Sequence, residues 1–152
     1  GVSAVQNHFS LMNRSSADSG IINYCKEHDI VFYGYMTLEQ GALSGKYDVS
    51  HPFPEGSARA KVFNPMLPQI EVITEELTKV AEAHGVSVAQ AAVAYAVAKG
   101  VLPIIGVTKI YQVEEAVKLS EVTLTAEEIA QLEAAADKSG VDSIQFWESK
   151  ME

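Results

Sequence analysis

The chain has 152 residues, 47% of them hydrophobic, with 20 acidic residues against 11 basic ones and a net charge of −9. That length fills one core and not two, so residues 1–152 are expected to form a single domain. The acidic surface repels phosphate backbones, and no basic cluster interleaved with aromatics offsets it, which argues against nucleic-acid binding. No apolar stretch reaches bilayer length, so no membrane partner is expected. Gly1 to Phe9 lacks the basic and apolar regions of a signal peptide. The absence of an initiator Met before Gly1 fits a processed, tagged or cut chain. One cysteine, Cys25, excludes an internal disulfide and suits a cytoplasmic setting.

The apolar run Val2–Phe9 reads as the first strand. A helix follows from Ser15 or Asp18, whose side-chain oxygens suit a helix start, with Ile21, Ile22 and Cys25 on its apolar side. Asp29–Tyr35 is the second strand. The segment from Asp48 to Pro65, punctuated by Pro52, Pro54 and Gly56, predicts an irregular, mobile loop. From Leu67 the pattern turns helical: Pro68 suits a first turn, Ile70, Ile73, Leu77 and Val80 share a face, and Gly85 lies past the end. Ser87 and Gln90 have capping-box spacing and open a second, Ala/Val-rich helix that should be buried on most sides. Val101–Val107 is the third strand. A short helix follows, then a last one capped by Thr125 and Glu128, with Ile129, Leu132, Ala135 and Ala136 facing inward. Phe146 and Trp147, in a tail without period, want a surface to lie on.

Strands that are apolar throughout and alternate with helices predict an α/β fold with a parallel sheet. Three strands with five helices are lopsided, and the outer two have nothing in the chain to pair with. A small open α/β domain and a portion of a (β/α)8 TIM barrel both accommodate this order. A full barrel usually needs about 250 residues. The polar breaks at Gln6–Ser10, Tyr35–Gln40 and Gly106–Lys109 all follow strands, where a barrel places function.

Three segments carry a resemblance. AVQNHFSLMNRS, IVFYGYMTLEQGALSGKY and LPIIGVTKIYQVEEAV, in this order and spacing, resemble the sixth-, seventh- and eighth-strand segments of the aldo-keto reductases. LTAEEIAQLEAAAD and the FWESKM tail are similar to that family's ending. The resemblance covers essentially the whole chain and identifies it with the C-terminal half of the barrel. It implies an enzyme that reduces aldehydes or ketones with NADPH or NADH, this portion carrying the cofactor side. It also implies a small carbonyl substrate and a missing N-terminal half of the barrel as partner. Relatives of this shape also serve as non-catalytic, cofactor-binding regulatory subunits, and a truncated fragment is a further alternative.

By resemblance, Gln6 holds the nicotinamide carboxamide and the Tyr35 ring stacks on the nicotinamide. Met36, Thr37 and Leu38 run beside the pyrophosphate. Gly106, Val107, Thr108 and Lys109 wrap the adenosine phosphate, while Gln112, Glu115 and Ala116 face the adenine end. Several positions depart from the family. Gln112 stands where many relatives have an Arg that clamps a 2′-phosphate, Ala116 stands for an Asn, His8 for an acidic residue, and Met36-Thr37 for Ser-Pro. The family's catalytic Asp, Tyr, Lys and His have no counterpart in the chain. The isolated chain is therefore expected to be inactive, and its open strand edges predict self-association, with a homo-oligomer as one form.

Other motifs carry less. GALSGK has one residue too few and a Tyr in the metal-binding position, so it is no P-loop. His8, His28, His51 and His84 lack metal-ligand spacing, so no metal is expected. Cys25 on an apolar helical side reads as an inert buried thiol. NRS at Asn13 matches a glycosylation acceptor, without secretory context.

Overall fold

A computed structural model describes residues 1–141, together with Ser143 and Glu148. The strands are β1 (Ala4–His8), β2 (Val31–Tyr35) and β3 (Leu102–Pro103). They form one parallel sheet with β2 in the middle. The helices are α1 (Ser15–Asp18), α2 (Ile21–Glu27), α3 (Ala58–Phe63), α4 (Leu67–His84), α5 (Val88–Ala98), α6 (Ile110–Lys118) and α7 (Ala126–Ser139). Parallel strands joined by helices make this a portion of a (β/α)8 barrel.

The two sides of the sheet differ. Phe32 and Gly34 of β2 are buried, and α5 packs against β3. On the opposite side Ala4, Gln6, Val31 and Leu102 stay exposed. The pairings Ala4 with Val31, Gln6 with Tyr33 and Tyr33 with Leu102 set these residues on that open face. It is the wall a full barrel turns inward.

The core lies between the sheet and α4, α5 and α7. Phe9 and Tyr95 are fully buried with parallel rings 6.0 Å apart. Ile70, Ile73, Leu77 and Val80 of α4 are buried on one stripe, as their spacing predicts. Gly85 ends α4 in the left-handed conformation. The capping boxes at Ser87–Gln90 and Thr125–Glu128 both form, each satisfying donors that a helix start leaves free. Cys25 is buried. The Tyr95 hydroxyl donates to Glu133, which also pairs with Lys99, and Arg14 pairs with Asp137. These contacts tie α7 to α5 and to the start of α1.

Three expectations need correction. The stretch Asp48–Pro65 is irregular only as far as Ser57, which accepts from Ala60 N–H and caps α3. It is also pinned: Phe53 and Phe63 are fully buried, and the Asn64 amide both accepts from Phe53 N–H and donates to Phe53 O. Two aromatics in the core outweigh the punctuation by proline and glycine. The third strand shrinks from Val101–Val107 to β3, since its neighbour β2 ends at Tyr35 and the last bond between them runs from Ile104 N–H to Gly34 O. The first helix is divided at Gly20, and neither Ser15 nor Asp18 caps it by side chain. The expected role of Phe146 and Trp147 lies outside the described residues. Among those described, no helix is long and apolar enough to cross a membrane.

Gly34 shows how tightly β2 is covered. A Cβ there would sit 2.5 Å from Val101 Cγ1 and 3.4 Å from Phe9 Cβ. Overpacking of this kind costs about 1–3 kcal/mol. Gly34→Ala is expected to lower the urea midpoint accordingly at unchanged slope; an unaltered midpoint would show that this wall yields.

Candidate functional site

The site begins where β2 ends. After Tyr35 the backbone enters a corner in which Met36, Glu39 and Gln40 take positive φ of 60°, 47° and 54°, followed by Gly41 at 102°. Each such non-glycine residue costs on the order of 1–3 kcal/mol, so surrounding contacts must hold the corner. They do so through Glu39. Its side chain is fully buried, and Oε1 accepts from His8 Nε2 at 2.7 Å, Ser10 Oγ at 2.5 Å and Ser143 Oγ at 3.0 Å. Its Oε2 has no hydrogen-bond partner among the described residues.

Parallel pairing sets His8 level with Tyr35, and their rings lie 5.5 Å apart at 24°. The Tyr35 hydroxyl donates to Glu148 Oε1 at 2.7 Å, and Glu148 Oε2 lies 2.9 Å from His8 Nδ1. Burial alone would lower the His8 pKa, but the hydrogen bonds and charges of Glu39 and Glu148 outweigh it and raise the value. Burial, reinforced by the hydrogen bond to Glu148, pushes the Tyr35 phenol from 10.0 up to about 12.

Beside this corner lies a pocket of about 680 Å³, within the 300–1,000 Å³ or so of typical ligand sites. Met36, Thr37 and Leu38 line it from the β2 side, Gly106 from the β3 side, and Gln112, Glu115 and Ala116 from α6. Seven of the twelve residues expected at a cofactor site therefore share one cavity. Gln6 and Tyr35 lie outside its lining, Gln6 exposed on the open sheet face and Tyr35 half-buried above it. Val107, Thr108 and Lys109 are exposed beyond the rim.

Gln112 explains part of that displacement. Its Oε1 accepts from Thr108 N–H at 2.7 Å and Lys109 N–H at 3.0 Å, so the side chain caps its own helix. The N–H groups of Thr108 and Lys109 are thereby taken up internally. The Lys109 ammonium lies 5.9 Å over the Tyr111 ring.

Two cations that sequence reasoning passed over also line the cavity, Lys46 and Arg59. Neither makes an ion pair with another described residue, and Arg59 donates only to the Gln40 carbonyl while lying over the Phe53 ring. Two lining cations without an ion pair among the described residues, in a chain of net charge −9, are a fit for a ligand bearing phosphates. Lys46 was legible as the single cation of QGALSGKY. Arg59 was not, because it depends on α3. Among the described residues no cluster of His, Cys, Asp and Glu could hold a metal.

The model of the Aldo/keto reductase family matches residues 1–137. The chain belongs to that family. It is 32% identical over 142 residues to the chloroplastic pyridoxal reductase of Arabidopsis thaliana, covering 93% of this chain and 38% of that protein. It is 31% identical over 137 residues to a putative aryl-alcohol dehydrogenase of Saccharomyces cerevisiae, covering 87% and 36%. The solved glycerol dehydrogenase of Gluconobacter oxydans superposes with a TM-score of 0.79 at 25% identity, over 96% of this chain and 46% of that one. The chain thus spans less than half the length of the relatives it matches.

The Tyr35 phenol offers a direct check of the site's electrostatics. Its folded pKa lies above the unfolded one, so its contribution to stability is intact below pH 10 and is lost as pH rises toward 12. Ultraviolet difference titration of wild type against Tyr35→Phe should isolate a phenol ionising near pH 12. Ionisation at the ordinary value would mean that the hydroxyl is not held.

Proposed function

We propose that the whole protein reduces aldehydes or ketones with NADPH or NADH, and that residues 1–152 carry its cofactor side. The observation that carries this reading is one cavity. It gathers the corner after β2, the turn at Gly106 and one face of α6, and its lining includes Lys46 and Arg59, neither ion-paired among the described residues. When bound, the nicotinamide supplies a hydride; the residues of this chain bind and orient.

In this reading the pyrophosphate lies along Met36, Thr37 and Leu38, with Lys46 and Arg59 as counter-charges. Gln6 and Tyr35 stand on the barrel-facing side of the sheet, Gln6 for the carboxamide and Tyr35 as a platform for the ring. An aromatic face supplies area at little entropic cost, with stacking worth about 0.5–1.5 kcal/mol beyond burial. Glu115 and Ala116 meet the adenine end. Gln112 is a neutral cap and offers no charge to a 2′-phosphate, which leaves Lys109 and Thr108 to separate NADPH from NADH. Thr108 and Val107 edge the same end of the pocket.

The proton donor to the carbonyl oxygen belongs to the half of the barrel that precedes these strands. The chain alone is accordingly proposed to bind cofactor without turnover. Its open sheet face and strand edges would be covered by that half, or by a second copy when it is missing.

Cofactor titration followed by fluorescence tests the binding claim. Tyr35→Ala should weaken NADPH binding about tenfold, the effect of roughly 1.4 kcal/mol. Equal affinity in a folded variant would remove Tyr35 from the platform role. Separately, Lys46→Met and Arg59→Met should each weaken NADPH and flatten the salt dependence of binding. Unchanged salt dependence in both would place the phosphates elsewhere. A panel of aldehydes and ketones with the full-length gene product then decides between enzyme and regulatory subunit, since cofactor binding without any turnover belongs to the latter.

A further inference from the structure

The corner after β2 bears on the cavity through one carbonyl. Arg59 Nη1 donates to Gln40 O at 3.3 Å, and the guanidinium carbon lies 5.4 Å over the centre of the buried Phe53 ring. Gln40 stands at φ 54° and ψ 24°, and Gly41 after it at φ 102° and ψ −2°. The direction of a carbonyl follows the dihedrals on either side of it. At ordinary right-handed values the Gln40 oxygen would point elsewhere. The Arg59 contact therefore depends on a left-handed corner, which non-glycine residues adopt only when held from outside.

The Glu39 side chain supplies that hold, and its neighbours leave little freedom in where the hydrogens lie. Ser10 Oγ accepts from Met12 N–H and from Asn13 N–H, both at 3.0 Å, which fills its two lone pairs. Its one proton is left for Glu39 Oε1, 2.5 Å away. His8 Nε2 lies 2.7 Å from the same oxygen and Ser143 Oγ 3.0 Å from it. An oxygen that receives the Ser10 proton is an acceptor, so the His8 nitrogen facing it bears a hydrogen. His8 is the last residue of β1, and Ser10 follows two positions later. The buried acid thus fastens the corner after β2 to the segment that leaves β1, and the very next residue, Gln40, carries Arg59.

We infer that Glu39, fastened by His8 and Ser10, is a positioning residue of the cavity, and that it acts through the Gln40 carbonyl on Arg59. Glu39 is fully buried and is not among the lining residues, so it meets no ligand itself. It sets the place of a cation that does line the cavity. Without the brace the corner relaxes, the carbonyl swings away, and the Arg59 charge spreads over many rotamers. The effect on binding rests on the reading of the cavity as the site of a phosphate-bearing cofactor; the brace does not.

Two measurements on the 152-residue protein keep these apart. Hydrogen exchange reads the brace with no ligand present. Gly41 N–H and Leu43 N–H both donate to Leu38 O within the corner. In Glu39→Ala they should exchange about tenfold faster, while the amides of α4 keep their wild-type rates. Unchanged exchange at the corner, or an acceleration shared equally by α4, would overturn the inference. NADPH titration followed by fluorescence reads the action on Arg59. Glu39→Ala should weaken NADPH about tenfold, and the loss should shrink to about threefold or less when made in Arg59→Met, because residues that act through one contact are not additive. An equal loss in both backgrounds would show that Glu39 does not act through Arg59 and would sink the proposal. A wild type that binds no NADPH would instead refute the cofactor reading, and the exchange comparison then decides the brace. If Glu39→Ala does not fold, Ser10→Ala removes one donor to the acid and should move both measurements in the same direction; no movement in either would overturn the inference.

Discussion

The register of β2 between its two parallel neighbours is the constraint from which the rest follows. β2 pairs with β1 from Val31 to Tyr35 and with β3 at Tyr33 and Gly34. Phe9 N–H donates to Tyr35 O, and Ile104 N–H donates to Gly34 O. Because all three strands run the same way, their carboxyl ends finish level, and every segment leaving them starts from one rim. His8 stands beside Tyr35 for that reason alone. The close approach of Val101 to Gly34 fixes how near α5 and its following strand come, and hence where the Gly106 turn opens into the cavity.

The corner after β2 then becomes a problem of charge as well as of shape. A buried carboxylate without donors would be costly, and Glu39 meets three of them from His8, Ser10 and Ser143 on one oxygen. His8 is thus coupled to an acid on the neighbouring segment. Removing His8 takes one of those three donors from the buried carboxylate.

Helices with a complete set of local signals were legible in the sequence. α4, α5 and α7 announce themselves through apolar spacing, capping boxes and a glycine stop, and tertiary packing agrees with all of it. Tyr35 at the end of a strand was legible as well, since its apolar run breaks at the rim. What the sequence hid was set by distant partners. β3 is short because its pairing stops with β2, which no local pattern encodes. α3 was obscured by Pro52 and Pro54, although the burial of Phe53 and Phe63 decides the segment. Gln112 was read for what it lacks as a cation, whereas its actual use is to cap α6. His8 was read only as a departure from the family and as a histidine without metal-ligand spacing, and only the fold brings Glu39 and Glu148 to its two nitrogens.

The brace between Arg14 and Asp137 joins residues 123 positions apart. A contact that closes so long a loop returns nothing until most of the chain between its ends has been ordered. The start of the chain and its last described helix are therefore fastened to each other late in folding, after the sheet and the helices between them have brought the two partners within reach.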